Sequence, residues 1–215
     1  VRRLARSAVS GVVAVLFLSA CGGTEEPEPA RVTAALQCDE TLSPEAARAL
    51  ESVLGTKRFR PAGSGGLERV AGELAEDYTK FPRWTQGRSL CRVDHPGNTD
   101  GIRITVRLRR EEGRLWDRHA ADLHPYAMGA EALAGPQGAR LVVSCVSPQF
   151  QGSDKRPARV QSSLTFRRSE LPDTVPIREA NLTILHSATL AVVRKLGCAE
   201  DAGLEAEPVF KALPE

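Results

Sequence analysis

Gly101-Ile102-Arg103-Ile104-Thr105-Val106-Arg107-Leu108-Arg109 is the stretch whose pattern decides the fold. Ile102, Ile104, Val106 and Leu108 alternate with Arg103, Thr105, Arg107 and Arg109, the period-two signature of a β-strand with one dry and one wet face. An aliphatic row needs a cover, whereas a row of guanidinium groups must stay near water. The strand therefore belongs to a sheet layered on one side. Upstream, Leu90 to Asp94 reads as a shorter strand, joined to it through the turn-rich His95-Pro96-Gly97-Asn98-Thr99-Asp100-Gly101. Arg140 to Ser147 and Arg159 to Arg167 read as a second hairpin. In its second strand Val160, Leu164 and Phe166 face one way, and Gln161, Ser163, Thr165 and Arg167 the other.

Outside these hairpins the period changes to that of a helix. Ser43 is a good N-cap, Pro44 suits the first turn, and Ala46, Leu50, Val53 and Leu54 make one stripe that Gly55 ends. A second helix follows Gly63-Ser64-Gly65-Gly66, with Leu67, Val70, Ala71, Leu74 and Tyr78 at helical spacing. Glu73, Glu76 and Asp77 are read as its solvated side. A third runs from about Thr174 to Leu196, with Ile177, Ile184, Leu185, Ala188, Val192 and Leu196 along its stripe and His186 beside it. The expected class is α+β: an antiparallel sheet of about four strands built from two hairpins, with three main helices on one face. Aromatic residues make up only 5% of the chain, so the core must be aliphatic.

The N-terminus carries a different message. Arg2, Arg3 and Arg6 precede an apolar run from Ala8 to Phe17, and Leu18-Ser19-Ala20-Cys21 follows. A basic start, a short apolar segment and small residues before a cleavage point define a secretory signal. Cysteine immediately after the small residues makes it a lipobox, with Cys21 the residue that takes the lipid. A spanning helix needs about 20 mostly apolar residues, and this run is shorter. Residues 1–20 are thus expected to be a lipoprotein signal peptide. Residues 21–36, with Glu25, Glu26, Glu28, Pro27 and Pro29, form a lipidated cysteine and flexible acidic tether, and 37–215 one extracytoplasmic domain. The location implied is the outer face of the cell membrane, lipid-anchored, the membrane being a partner through Cys21.

The leader also explains the charge. Without its three arginines, 26 basic residues face 27 acidic ones, a balance that makes no case for nucleic acid as a partner. Four cysteines remain after Cys21, and in an exported chain they imply two disulfides. Cys38–Cys91 with Cys145–Cys198 is favoured, because the two loops are equal in length and each ties a helix end to a hairpin strand. Cys38–Cys198 with Cys91–Cys145 stays open as the rival.

The lipobox ending at Cys21, the acidic tether, and Cys38-Asp39-Glu40-Thr41-Leu42-Ser43-Pro44-Glu45 together resemble the short exported lipoproteins of unknown function found in high-GC Gram-positive bacteria. In that pattern a cysteine precedes a Leu-(Ser/Thr)-Pro-Glu helix start and a second cysteine lies in a strand, where Cys91 matches. The resemblance implies a compartment and a style of fold. It carries no catalytic residues.

No catalytic motif emerges independently. His119 and His124 are five residues apart, which turns them from a common helical face, whereas zinc proteases place them at four. An EF-hand reading with Gly101 as the loop glycine puts Pro96 and Arg107 where acids are required. There is neither a G-x-S-x-G elbow nor a phosphate-binding glycine loop. No cofactor and no metal is assigned. Two surfaces are candidates for binding: the wet row Arg103, Arg107 and Arg109, and the long connection from Gly113 to Gly138, with Trp116, His119, His124, Tyr126 and Met128. The reading is a membrane-anchored extracytoplasmic binding module for a protein or small-molecule ligand. Its alternatives are an accessory subunit of a cell-envelope enzyme, or an enzyme whose site is unrecognised.

Overall fold

The computed structural model describes residues 31–63, 65–80, 86–109, 122–167 and 171–214. Three helices, α1 (Pro44–Leu54), α2 (Gly66–Lys80) and α3 (Val175–Lys195), accompany six strands. The strands are β1 (Arg88–Asp94), β2 (Gly101–Arg109), β3 (His124–Tyr126), β4 (Glu131–Gly135), β5 (Gly138–Cys145) and β6 (Ala158–Arg167). They form one sheet in the order β1-β2-β6-β5-β4-β3, every neighbouring pair antiparallel. The class is α+β with an open antiparallel sheet, as the alternating stretch implied.

The strand count is not four but six. Both extra strands lie in the span read as a long connection, Gly113 to Gly138. β4 reads Glu-Ala-Leu-Ala-Gly and β3 contains Pro125, so neither carries the β-branched residues that announce a strand. Pro125 is tolerated because β3 is the last strand of the sheet. The C-terminal tail adjoins that edge: Ala127 N–H donates to the Lys211 carbonyl and Leu213 N–H to that of Pro125. An otherwise bare edge is thereby paired.

Register sends Ile102, Ile104, Val106 and Leu108 of β2, with Val160 and Leu164 of β6, and Leu141, Val143 and Cys145 of β5, to the helix side. α3 lies over β4, β5 and β6, α2 over β1 and β2, and α1 packs along α3. Ten consecutive residues of α3, Asn181 to Leu190, are consequently buried. It is a central helix rather than a surface one, which is why its apolar residues do not keep to one stripe. Thr183 and Thr189 satisfy their hydroxyls on carbonyls one turn back, and Ser187 joins α3 to the start of α1. Ser187 Oγ accepts from the Ser43 N–H at 2.7 Å and donates to the Thr41 carbonyl at 2.8 Å. Among the described residues no helix is long and apolar enough to cross a membrane.

α1 starts as its sequence promises, with Ser43 Oγ accepting from the Ala46 N–H and Gly55 closing it at φ 61°. The start of α2 is capped from afar. Asp39 sits in a left-handed turn formed by Cys38, Asp39 and Glu40, and its carboxylate accepts from the N–H groups of Gly65 and Leu67 at 2.9 and 2.8 Å. Gly66 allows this approach, since a Cβ there would fall 2.1 Å from the Leu90 carbonyl oxygen. Disulfides join Cys38 to Cys91 and Cys145 to Cys198, the favoured connectivity, with Cα atoms 5.0 Å apart in each. The ordered fold also begins earlier than residue 37: Val32 pairs with Phe59, and Ala34 lies in the core.

Candidate functional site

With the helices gathered on one side, the other face of the sheet carries the polar rows. Arg92 and Asp94 of β1, and Arg103, Thr105, Arg107 and Arg109 of β2, stand beside Arg159, Gln161, Ser163, Thr165 and Arg167 of β6. Arg140 and Ser144 of β5 and Glu131 of β4 complete the set. Among the described strand residues, seven arginines share this face with two acids. Arg140 belongs to it but stands outside the β2 alternation, so only the register of β5 against β6 reveals it.

The acids are at opposite ends. Asp94 takes Arg92 at 3.1 Å and also Arg167, while Glu131, almost fully buried, takes Arg159 and lies 3.8 Å from Arg109. Arg109 is itself only 9% exposed at the side chain, so it is a structural partner of Glu131. Part of the face near Glu131 is dry: Leu123 packs on Leu133 and Val142. Between the two ends exposure is mixed, and Gln161 is buried. Arg103 and Thr165 are exposed, and Thr105, Arg107, Ser163 and Arg140 are half-buried. Arg107 Nη2 donates to Gln161 Oε1 at 3.1 Å, and Gln161 Nε2 donates to Ser163 Oγ at 3.3 Å. Burial, and then the charge of Arg107, hold the Arg140 guanidinium below its ordinary pKa. These two cations thus face each other across β6.

The aromatic candidates are divided. Trp116 and His119 lie outside the described residues, as does Cys21. Tyr126 is 3% exposed and meets Phe210 edge to face at 6.5 Å, and Met128 is also buried. Both belong to the core, contrary to the expectation of a surface loop. His124 Nε2 is 3.0 Å from Asp173 Oδ2, an interaction that ties β3 to the chain before α3. Asp77, read as solvated, is buried and accepts from Arg88 of β1 at 2.8 to 3.1 Å. Among the described candidates, Arg103 is exposed, Arg107 and His124 are half-buried, and Arg109 is covered.

An open groove of about 570 Å³ runs along the second half of α3, bordered by Thr41, Leu42, Leu67, His186, Leu190 and Lys195. Its cations are already neutralised, Lys195 by Glu68 and Arg194 by Asp201. Burial lowers the pKa of His186 despite an opposing hydrogen bond with the Glu205 main chain, so this imidazole prefers to be neutral. Among the described residues no three His, Cys, Asp or Glu side chains come together to hold a metal ion. Compared with known protein families, curated proteins and solved structures, the chain matches none.

Proposed function

We propose that this protein is a lipid-anchored extracytoplasmic binding module whose ligand-contacting surface is the helix-free face of the sheet. The carrying observation is the charge layout of that face. Asp94 and Glu131 are paired at its two ends, and β2, β5 and β6, which carry Arg103 and Arg107 in its middle, have no acidic residue. Guanidinium forks at fixed spacing on a rigid sheet suit anionic ligands, because they present paired donors without a large ordering penalty. The lipobox Leu18-Ser19-Ala20-Cys21 supports the anchored location, and two disulfides suit an oxidising compartment. The domain needs no catalytic group for this role.

The test is cross-linking in intact cells that process lipoproteins. The full chain is compared with Arg103→Glu/Arg107→Glu and with Arg48→Glu on α1 as a control for charge alone. The face variant is expected to stay in the membrane fraction while losing its cross-linked ligand, and the control to keep it. A face variant that retains the full cross-linking pattern would remove the sheet face from the binding reading.

A further inference from the structure

We infer that residues 203–214 form an exchangeable strand through which two copies of this chain dimerise, each laying its C-terminal tail on the β3 edge of the other, independently of what the sheet face binds.

The strain sits in the hinge. Among the described residues, six that are not glycine have a left-handed backbone, and they fall in two turns of three. Such residues crowd the Cβ against the following carbonyl and persist only where their surroundings hold them. The first turn, Cys38 to Glu40, is held from both sides, by the bridge to Cys91 and by the two bonds of the Asp39 carboxylate at the start of α2. The second turn, Glu200, Asp201 and Ala202 at φ 50°, 51° and 57°, is fixed from one side. Ahead of it the Cys145–Cys198 bridge, and the Ala199 N–H donating to the Val146 carbonyl, tie the chain to the end of β5. Within it, Asp201 meets Arg194 at 2.8 Å in a largely exposed pair, which adds little. Beyond it lies the tail. A short hinge under strain favours the exchanged form, in which it extends and relaxes.

Any copy of β3 supplies the tail with its seat. Ala127 N–H donates to the Lys211 carbonyl at 2.8 Å and Leu213 N–H to that of Pro125 at 2.9 Å, while Phe210 meets Tyr126 edge to face. Leu204 is buried in the core, and the Glu205 main chain bonds His186. The remainder is loosely held: residues 205–207, 209, 211 and 212 are exposed, Val209 to 63%. The tail therefore detaches by a local opening that leaves the sheet and α3 folded. Each of these contacts forms again when the tail comes from a second copy. Exchange thus keeps both seats and relaxes both hinges, and the product is a two-fold dimer. The bridge at Cys198 fixes where the exchanged segment starts.

The experiment mixes isotope-labelled and unlabelled full chain in a nonionic detergent and reads filtered NOEs between the Tyr126 and Phe210 rings, which arise only between copies. These are expected to grow with concentration and to be measurable by about 1 mM. Sedimentation in density-matched detergent gives the monomer–dimer balance. Glu200→Gly/Ala202→Gly lets the closed hinge adopt its φ freely and should lower the dimerisation constant about tenfold. Ala202→Val, β-branched, should raise it by a similar factor. Phe210→Ala weakens the seat equally in both forms, so it should speed exchange and leave the balance within about twofold. A chain still monomeric at about 1 mM, a dimer without the NOE between copies, or a balance that the two glycines leave unchanged would overturn the exchange.

Discussion

Gly138 shows how much one residue determines at the turn between β4 and β5. Its φ is 146°, and a Cβ there would stand 2.0 Å from the Leu164 carbonyl oxygen. Gly138→Ala must therefore push β5 away from β6, and should lower stability by about 2–3 kcal/mol in urea unfolding. A loss below about 0.5 kcal/mol would mean that the turn relaxes freely. His186 makes a second prediction at this scale. Its folded pKa lies below the ordinary imidazole value of 6.5, so on acidification the unfolded chain takes up the proton first. Stability should then fall as pH drops below about 6.5, by at most about 1.4 kcal/mol per pH unit from this group. His186→Gln should flatten that part of the profile, and an unchanged slope would show that other groups produce it. Single residues were also where the sequence was least legible. Tyr126, Met128 and Asp77 were read from their neighbours along the chain, yet their burial is set by β4, the C-terminal tail and β1, all distant in sequence.

At the scale of elements, legibility followed periodicity. β2 and β6 alternate over nine and ten residues and were recognisable, as were the capped α1 and its glycine stop. β3 and β4 are short and built from proline, alanine and glycine, so no local preference marks them, and only pairing with β5 makes them strands. The arginine row of the candidate site was visible for the same reason as β2. Arg140, on β5 and on the same face, required knowledge of which strand lies beside β6. The cap of α2 was hidden in the same way, because Asp39 reaches Gly65 and Leu67 from a turn that precedes α1. Asp39→Ala should cost about 1–2 kcal/mol. Hydrogen exchange should show the first turn of α2 opening before α1; equal protection in both would deny the cap its role.

For the molecule as a whole, one aliphatic core joins the three helices and the sheet, and two cross-links tie its ends. Replacing Cys145 and Cys198 together by serine should remove roughly 3–5 kcal/mol of stability, the amount expected for closing a loop of this length. A much smaller loss would mean that the unfolded chain stays compact without the bridge. Anchoring belongs to this scale as well. Cys21→Ala should release the chain from membranes or leave it unprocessed; retention of a processed variant in the membrane fraction would count against lipidation at that residue.

The Cys38–Cys91 bridge has a mechanical consequence. A pull on the chain ahead of Val32 meets a covalent link at Cys38 that passes directly to β1, bypassing α1 and α2. The intervening chain bears no tension: the bridge is a shunt, and the loop behind it is stored length. Tethered in an optical trap by its ends, the oxidised protein should extend without ever releasing that loop. Reduction of this bridge should add roughly 180 Å for its separation of 53 residues, and Cys145–Cys198, with the same separation, should add as much again. Pulled from its N-terminus, the domain thereby yields as a short, stiff spring while its thiols are oxidised, and as a long, slack line once they are reduced.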